Sequence, residues 1–424
     1  MKTLLKTRWA IITSCIICLS ACSYSGTEVP DVPTSLIAHK YGTRTINDAV
    51  MIAQRARRIF FSQKGTRSEE PAYEVSTVKI IQKNPTRIGD IDSDTILYIV
   101  NFTNDAGFAI VSANANITPL LAISDSGEFP DEDGIREYGL SLFMDAAKHF
   151  VTSRIHDPIP IDTFEVNALY DTVTTAVGPF IQVAWGANSP IEGKYCPNHV
   201  AGCAPVAAAQ LMSYYQYPDT IELMYNTADM TFQPLDWEDI CKHKIYYSRV
   251  LETLSCEASN SAHNAIGRLC RQLGYLMNSD YYSDNNNTST GINYIYPAMQ
   301  ALGYTRQTEW WSYNEGYFKN GLNRCHPLYI AGTGHAWLCD GYRQLDITKY
   351  YLLDNTPPIH WTELYNHFNW GWNGRGNGYY LDMVFVPSQY EELDSLIQIP
   401  PTDNNDYGWF MLDYIEMYPQ NQQQ

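Results

Sequence analysis

Three short runs carry residues that can do chemistry together. Ala201-Gly202-Cys203-Ala204-Pro205 places a thiol directly after a glycine. It heads an apolar, alanine-rich stretch that reads as a helix as far as Tyr215, ended by Pro218. Gly334-His335-Ala336-Trp337 places an imidazole at the start of an apolar strand, 132 positions after the cysteine. Asn369-Trp370-Gly371-Trp372 supplies a carboxamide 34 positions later. Thiol, imidazole and carboxamide in that order are the parts of a nucleophilic acyl-transfer site. A thiol attacks a carbonyl as thiolate, and a helix N-terminus favours that charge. Pro205 suits the first helical turn, where a missing N–H costs nothing. His335 is the candidate base. The Asn369 side chain would hold its tautomer, and Trp370 would shield that hydrogen bond from water.

Each element alone is ordinary. A Gly-Cys before a helix is usually a buried structural cysteine, and a histidine near a strand usually belongs to the core. The conjunction, in order and spacing, makes Cys203, His335 and Asn369 a candidate site. The glycine-rich run 371–378 reads as a tight hairpin, because no Lys-Ser or Lys-Thr follows to make a phosphate loop. A zinc site from Cys196, His199 and Cys203 with Cys325-His326 matches no common ligand spacing. A Cys196–Cys203 disulfide is a further alternative, and it would silence the thiol.

These residues need elements to position them. The chain has 424 residues, enough for two or three domains, with 45% hydrophobic residues to fill cores. A net charge of −18 argues against nucleic acid as a partner. Residues 1–21 read as a signal peptide: Lys2, Lys6 and Arg8, then a short apolar run. The run ends in Leu19-Ser20-Ala21-Cys22, which resembles a bacterial lipobox with Cys22 lipidated; ordinary cleavage near Ala21 is the alternative. Either way the chain is expected to be exported, lipid-anchored at a bacterial membrane in the first case. Residues 22–44 read as a tether. Thr45 to Phe61 reads as an amphipathic helix with Arg55, Arg57 and Arg58 on its solvated face. Residues 73–82, 96–102 and 108–112 read as strands, with a turn at Asn104-Asp105-Ala106-Gly107. Residues 45–155 are therefore expected to be a small α+β domain. Residues 156–177 read as a linker that holds a maturation cleavage, and 178–424 as the domain that carries the candidate site. Ten cysteines less Cys15, Cys18 and Cys22 of the leader leave seven, so at least one thiol is free if the others pair.

With its motifs quoted, the second half resembles the streptopain family of papain-like cysteine peptidases. The resemblance rests on Gly202-Cys203-Ala204-Pro205-Val206-Ala207-Ala208-Ala209-Gln210-Leu211-Met212, on Gly334 to Tyr342, and on Asn369 to Gly374 followed by Gly378-Tyr379-Tyr380. Leu97 to Phe102, Gly107 to Ser112 and Pro119 to Ser124 resemble strands of the family's pro-domain. The resemblance implies an α+β fold: a papain-like peptidase domain behind a pro-domain that inhibits it until cleaved. It implies a cysteine endopeptidase acting on protein or peptide substrates without a cofactor. One departure stands out. The family's oxyanion glutamine would fall in Trp185-Gly186-Ala187, where the chain has Ala187. The Cys203 backbone N–H remains as a donor, and Asn188 or Gln182 are the candidate substitutes. Two other readings follow. One is a catalytically weakened relative that binds peptides or a protein. The other is cell-wall amidase or transglutaminase chemistry on the same fold.

Overall fold

The computed structural model describes residues 42–61, 74–83, 94–115, 117–129, 138–153, 168–225, 231–244, 258–282, 287–310, 314–332, 334–351, 357–385 and 413–422. The leader, the tether up to residue 41 and Cys22 lie outside them.

The N-terminal lobe begins with α1 (Ile46–Phe61), which turns Ala49, Ile52, Ala53, Ala56 and Phe60 inward at three- and four-residue spacing. Thr45 and Asp48 cap it reciprocally: Asp48 N donates to Thr45 Oγ1 at 3.3 Å and Thr45 N to Asp48 Oδ2 at 2.7 Å. The helix covers an antiparallel meander of β1 (Val75–Gln82), β2 (Thr95–Phe102), β3 (Phe108–Ser112) and β4 (Leu120–Ser124). The turn before β3 uses left-handed backbone at Asn104, Asp105 and Gly107. At Gly107 a Cβ would stand 2.2 Å from the Ser124 carbonyl oxygen, so only glycine fits. Helix α2 (Tyr138–Ser153) closes the lobe. One expectation is corrected here. Arg57 is buried, not solvated: Nη1 donates to Ser124 O at 3.0 Å and Nη2 to Asp125 O at 3.3 Å. An arginine in a helical face can satisfy carbonyls at a strand end that nothing else reaches.

The second lobe contributes β5 (Ala168–Val177), α3 (Cys203–Tyr215), the ribbon β6 (Thr220–Glu222) and β7 (Phe232–Pro234), α4 (Asn260–Leu276) and α5 (Ile295–Ala301). After these come β8 (Tyr304–Trp310), α6 (Glu315–Asn323), β9 (Leu328–Gly332), β10 (His335–Tyr351), β11 (Ile359–Asn369), β12 (Gly378–Leu381) and β13 (Asp413–Pro419). Among the described residues one sheet runs β1-β2-β3-β4-β12-β11-β10-β9-β13-β8 through both lobes. The lobes join edge to edge where β4 pairs antiparallel with β12, Ile123 opposite Tyr379. Strand β10 is long enough to hold two partners on one edge: β9 along His335 to Cys339, and β5 along Tyr342 to Tyr351. The second half of the expected linker is therefore a strand. Its Val173, Thr174 and Thr175 favour extended backbone, and ten ladder positions fix it.

Alternation along β10 divides the interior. Trp337 and Cys339 join a core with α1 and the first lobe, whereas Ala336 and Leu338 join the core around α3 and α4. A charged contact crosses the lobe junction. His367 Nδ1 on β11 lies 2.6 Å from Asp340 Oδ1, and its Nε2 lies 4.0 Å from Asp125 Oδ2 of the first lobe. Burial opposes its charge, but the two carboxylates hold its pKa well above the ordinary 6.5.

Arg57→Ala is expected to cost about 2–4 kcal/mol, since it strands one buried and one part-buried carbonyl that accept charged hydrogen bonds. Urea unfolding of the full chain, carrying Cys203→Ala to prevent self-digestion, measures it; an unchanged midpoint would refute the role given to Arg57.

Candidate active site

Cys203 is the first residue of α3. Gly202 before it has φ +88°, and Thr288 lies against it, 3.1 Å from where a Cβ would be. The backbone on its approach is tied down: Ala201 N and Gly202 N both donate to Ala187 O, at 3.0 and 3.3 Å. From Ala204 to Ser213 every residue of α3 is buried. The helix is small-sided from Ala204 to Ala209 and largely apolar beyond, and it lies inside a core, against α4 and the sheet, with Tyr329 Oη donating to Ala204 O at 3.0 Å. The thiol itself is half-buried. Burial pushes it above its ordinary value of 9.0, while the backbone N–H groups of Ala336, Ala204 and Cys203 pull the other way. The helix terminus expected from sequence is present, but burial outweighs it in this state.

The N–H of Ala336 at the thiol shows that α3 begins against the first residues of β10. His335 is buried at 4% exposure, and its Nε2 meets Trp370 O at 3.0 Å. A carbonyl only accepts, so Nε2 carries the proton of the neutral imidazole and Nδ1 is left as the bare base. Nδ1 has no hydrogen-bond partner, and no hydrogen bond joins the imidazole to the thiol. Burial lowers the His335 pKa from 6.5 to about 4, with the Trp370 carbonyl acting against the shift. Both groups therefore stand neutral in this structure.

The imidazole lies in an aromatic surround. Trp337 is near-parallel to it (5.7 Å, 14°), as is Trp372 (5.8 Å, 13°), and Trp370 is tilted (6.3 Å, 32°). Trp337 and Trp372 were not singled out from sequence. Period-two alternation from His335 and from Trp370 was the signal that could have found them.

Asn369 is placed differently from the sequence expectation. Its Nδ2 donates to Val183 O at 2.9 Å and Gln210 Oε1 at 3.0 Å, and its Oδ1 accepts from Gly371 N at 3.2 Å. It does not touch the imidazole; the backbone carbonyl of its neighbour does. The physical reason is the tight Asn369-Trp370-Gly371 turn, where Gly371 has φ +75°, which turns the carboxamide inward and the next carbonyl toward His335.

Ala187 sits between the two halves of the site. Its N donates to Gly371 O at 2.9 Å, and its carbonyl holds the residues before Cys203. Its side chain is a buried methyl without a donor. Asn188 and Gln182 are both exposed. Cys196 and Cys203 are free thiols, so they form no disulfide. Among the described residues no group of three or more His, Cys, Asp or Glu side chains is arranged to hold a metal. His326 is engaged elsewhere, with Nδ1 2.6 Å from Glu416 Oε1; Cys256 lies outside the described residues.

Residues 182–380 match the peptidase C10 family, and residues 47–151 match the Spi protease inhibitor family. The chain carries a peptidase C10, or streptopain-family, domain over residues 182–380. It is a cysteine endopeptidase with an inhibitor-type pro-domain, and the first lobe is that pro-domain. It is 24% identical over 366 residues to streptopain of Streptococcus pyogenes serotype M1, covering 78% of this chain and 84% of that one. It is 21% identical over 329 residues to the thiol protease/hemagglutinin PrtT of Porphyromonas gingivalis, 69% of this chain and 34% of that one. A prointerpain A fragment of Prevotella intermedia aligns in structure with a TM-score of 0.49 and 17% identity, over 80% of this chain and 98% of the fragment.

The low pKa of His335 has a consequence for stability. The unfolded chain binds the proton near pH 6.5 and the folded chain near 4, so stability falls as pH drops through that window. The full effect is on the order of 3 kcal/mol. In the Cys203→Ala chain, His335→Gln is expected to flatten the decline in unfolding free energy between pH 6.5 and 4. An unchanged slope would contradict the burial of a neutral imidazole.

Proposed function

We propose that the chain is an exported zymogen in which Cys203 is the nucleophile and His335 the base and then the acid. The reading is supported most by one observation: the thiol heads a buried helix beside the strand that starts with His335, whose Nε2 is held by a carbonyl and whose Nδ1 is free. In the active enzyme Nδ1 takes the thiol proton and Sγ adds to the scissile carbonyl. The oxyanion is met by the Cys203 backbone N–H. The imidazolium then gives its proton to the leaving amine, and the C–N bond breaks to leave a thioester. Water, deprotonated by Nδ1, hydrolyses the thioester and restores the thiol. Throughout, Nε2–H stays on the Trp370 carbonyl, which favours the imidazolium, while Asn369 keeps that carbonyl in place. The Trp370 ring shields the bond.

In the same reading the pro-domain maintains the neutral, unpaired state. Ser124 Oγ donates to Asn377 O at 3.0 Å, and Asp125 N donates to the same oxygen at 3.0 Å. Asn377 Oδ1 in turn accepts from Trp370 N at 3.1 Å. The end of β4 thus grips the loop that supports the carbonyl behind His335. Cleavage in residues 156–167, ahead of β5, would free the pro-domain. Residues 1–21 are proposed to direct export and Cys22 to carry the lipid anchor; Cys22→Ser should move the protein from the membrane to the soluble fraction.

An epoxide-type thiol-protease inhibitor is expected to label Cys203 once the pro-domain is shed, and Cys203→Ser to abolish pro-domain release and casein digestion. A folded wild-type chain that neither labels nor digests casein or a cell-wall peptide would overturn the reading. Ala187 favours a second reading, a slow enzyme or a peptide-binding relative. Ala187→Gln should raise turnover by about tenfold or more if the missing donor limits the rate; an unchanged rate would remove that reading.

A further inference from the structure

Gln210 performs no step of the chemistry above, yet it is fully buried, at 0% exposure. It follows Cys203 by seven residues, two helical turns along the same face of α3. Helical side chains lean toward the N-terminus, so its carboxamide points back toward the thiol's end. Its Oε1 accepts from two backbone-organising groups, Trp185 N at 2.9 Å and Asn369 Nδ2 at 3.0 Å. Its Nε2 is buried with no partner, 3.9 Å from where a Cβ on Gly371 would stand. A buried amide that leaves its own N–H₂ unpaired is costly, so the oxygen must matter to the position.

From that oxygen two short paths diverge. Trp185 leads to Ala187, whose carbonyl holds Ala201 and Gly202 immediately before the nucleophile. Asn369 accepts from Gly371 N and so shapes the turn whose Trp370 carbonyl holds His335 Nε2. We propose that Gln210 is a positioning residue for the peptidase reaction, one oxygen that keeps the approach to Cys203 in register with the carbonyl behind His335. It acts through other residues and does not touch the reacting atoms. The proposal rests on the roles given to Cys203 and His335 above.

Gln210→Met keeps the shape and removes the acceptor; Gln210→Glu keeps an acceptor. Full chains left to mature are assayed on a fluorogenic peptide across pH. Gln210→Met is expected to lower kcat about tenfold or more with KM within about threefold. The alkaline limb of its profile, where the imidazolium loses its proton, should move to lower pH by about half a unit, because the Trp370 carbonyl is held less well. Gln210→Glu is expected to stay within about fivefold of wild type in kcat. A folded Gln210→Met with wild-type kcat and profile overturns the proposal. If Gln210→Met does not fold, Gln210→Glu decides: near-wild-type kcat supports it, and loss like that expected of Met, or failure to fold, overturns it. An inactive wild-type chain would instead sink the catalytic reading itself.

Discussion

The site depends on one hydrogen bond, from the Nε2–H of His335 to the backbone carbonyl of Trp370. A carbonyl cannot donate, so this contact sets the tautomer, leaves Nδ1 as the base and fixes the ring's plane against three tryptophans. A backbone acceptor has no rotamer to lose, but it is only as fixed as its turn. That turn is fixed by Asn369 and its partners, by Asn377, and through Asn377 by the end of β4. In the proposed reading, reactivity and latency thus meet at one carbonyl.

Electrostatics in this state favour rest. Burial raises the thiol and lowers the imidazole, so both shifts oppose a thiolate–imidazolium pair. The helix terminus at Cys203 and the carbonyl at His335 work against burial without overcoming it. Bringing the two side chains into contact would supply the missing term, since each charge would then stabilise the other. The continuous sheet explains how a pro-domain can govern this at a distance. Its β4 is an edge strand of one lobe and completes the edge of the other at β12, so the inhibitor is held by ladder hydrogen bonds, the Ser124 and Asp125 bonds to the Asn377 carbonyl and the Asp125–His367 contact.

Much of this was legible in the sequence, for physical reasons that differ by residue. The placing of Cys203 at a helix start and of His335 at a strand start was legible because glycine breaks and apolar runs are written in residue types. Helix α1 and strands β1 to β3 were legible because periodicity is local, and their ends fall within two residues of expectation. The support behind His335 was not, because a backbone carbonyl belongs to every residue and only the turn selects Trp370. Asn369 was read as the imidazole's partner, whereas its carboxamide turns to Val183 and Gln210. Arg57 and β5 were misread because their partners, Ser124 and β10, are remote in the chain.

The most direct test is the protonation state of one ring. Nitrogen-15 NMR of ring-labelled histidine in the full chain carrying Cys203→Ala, at neutral pH, with His335 assigned by substitution, reads it without relying on activity. A neutral His335 with its proton on Nε2 and a bare Nδ1 is the predicted result. A proton on Nδ1, or an imidazolium, would contradict the account.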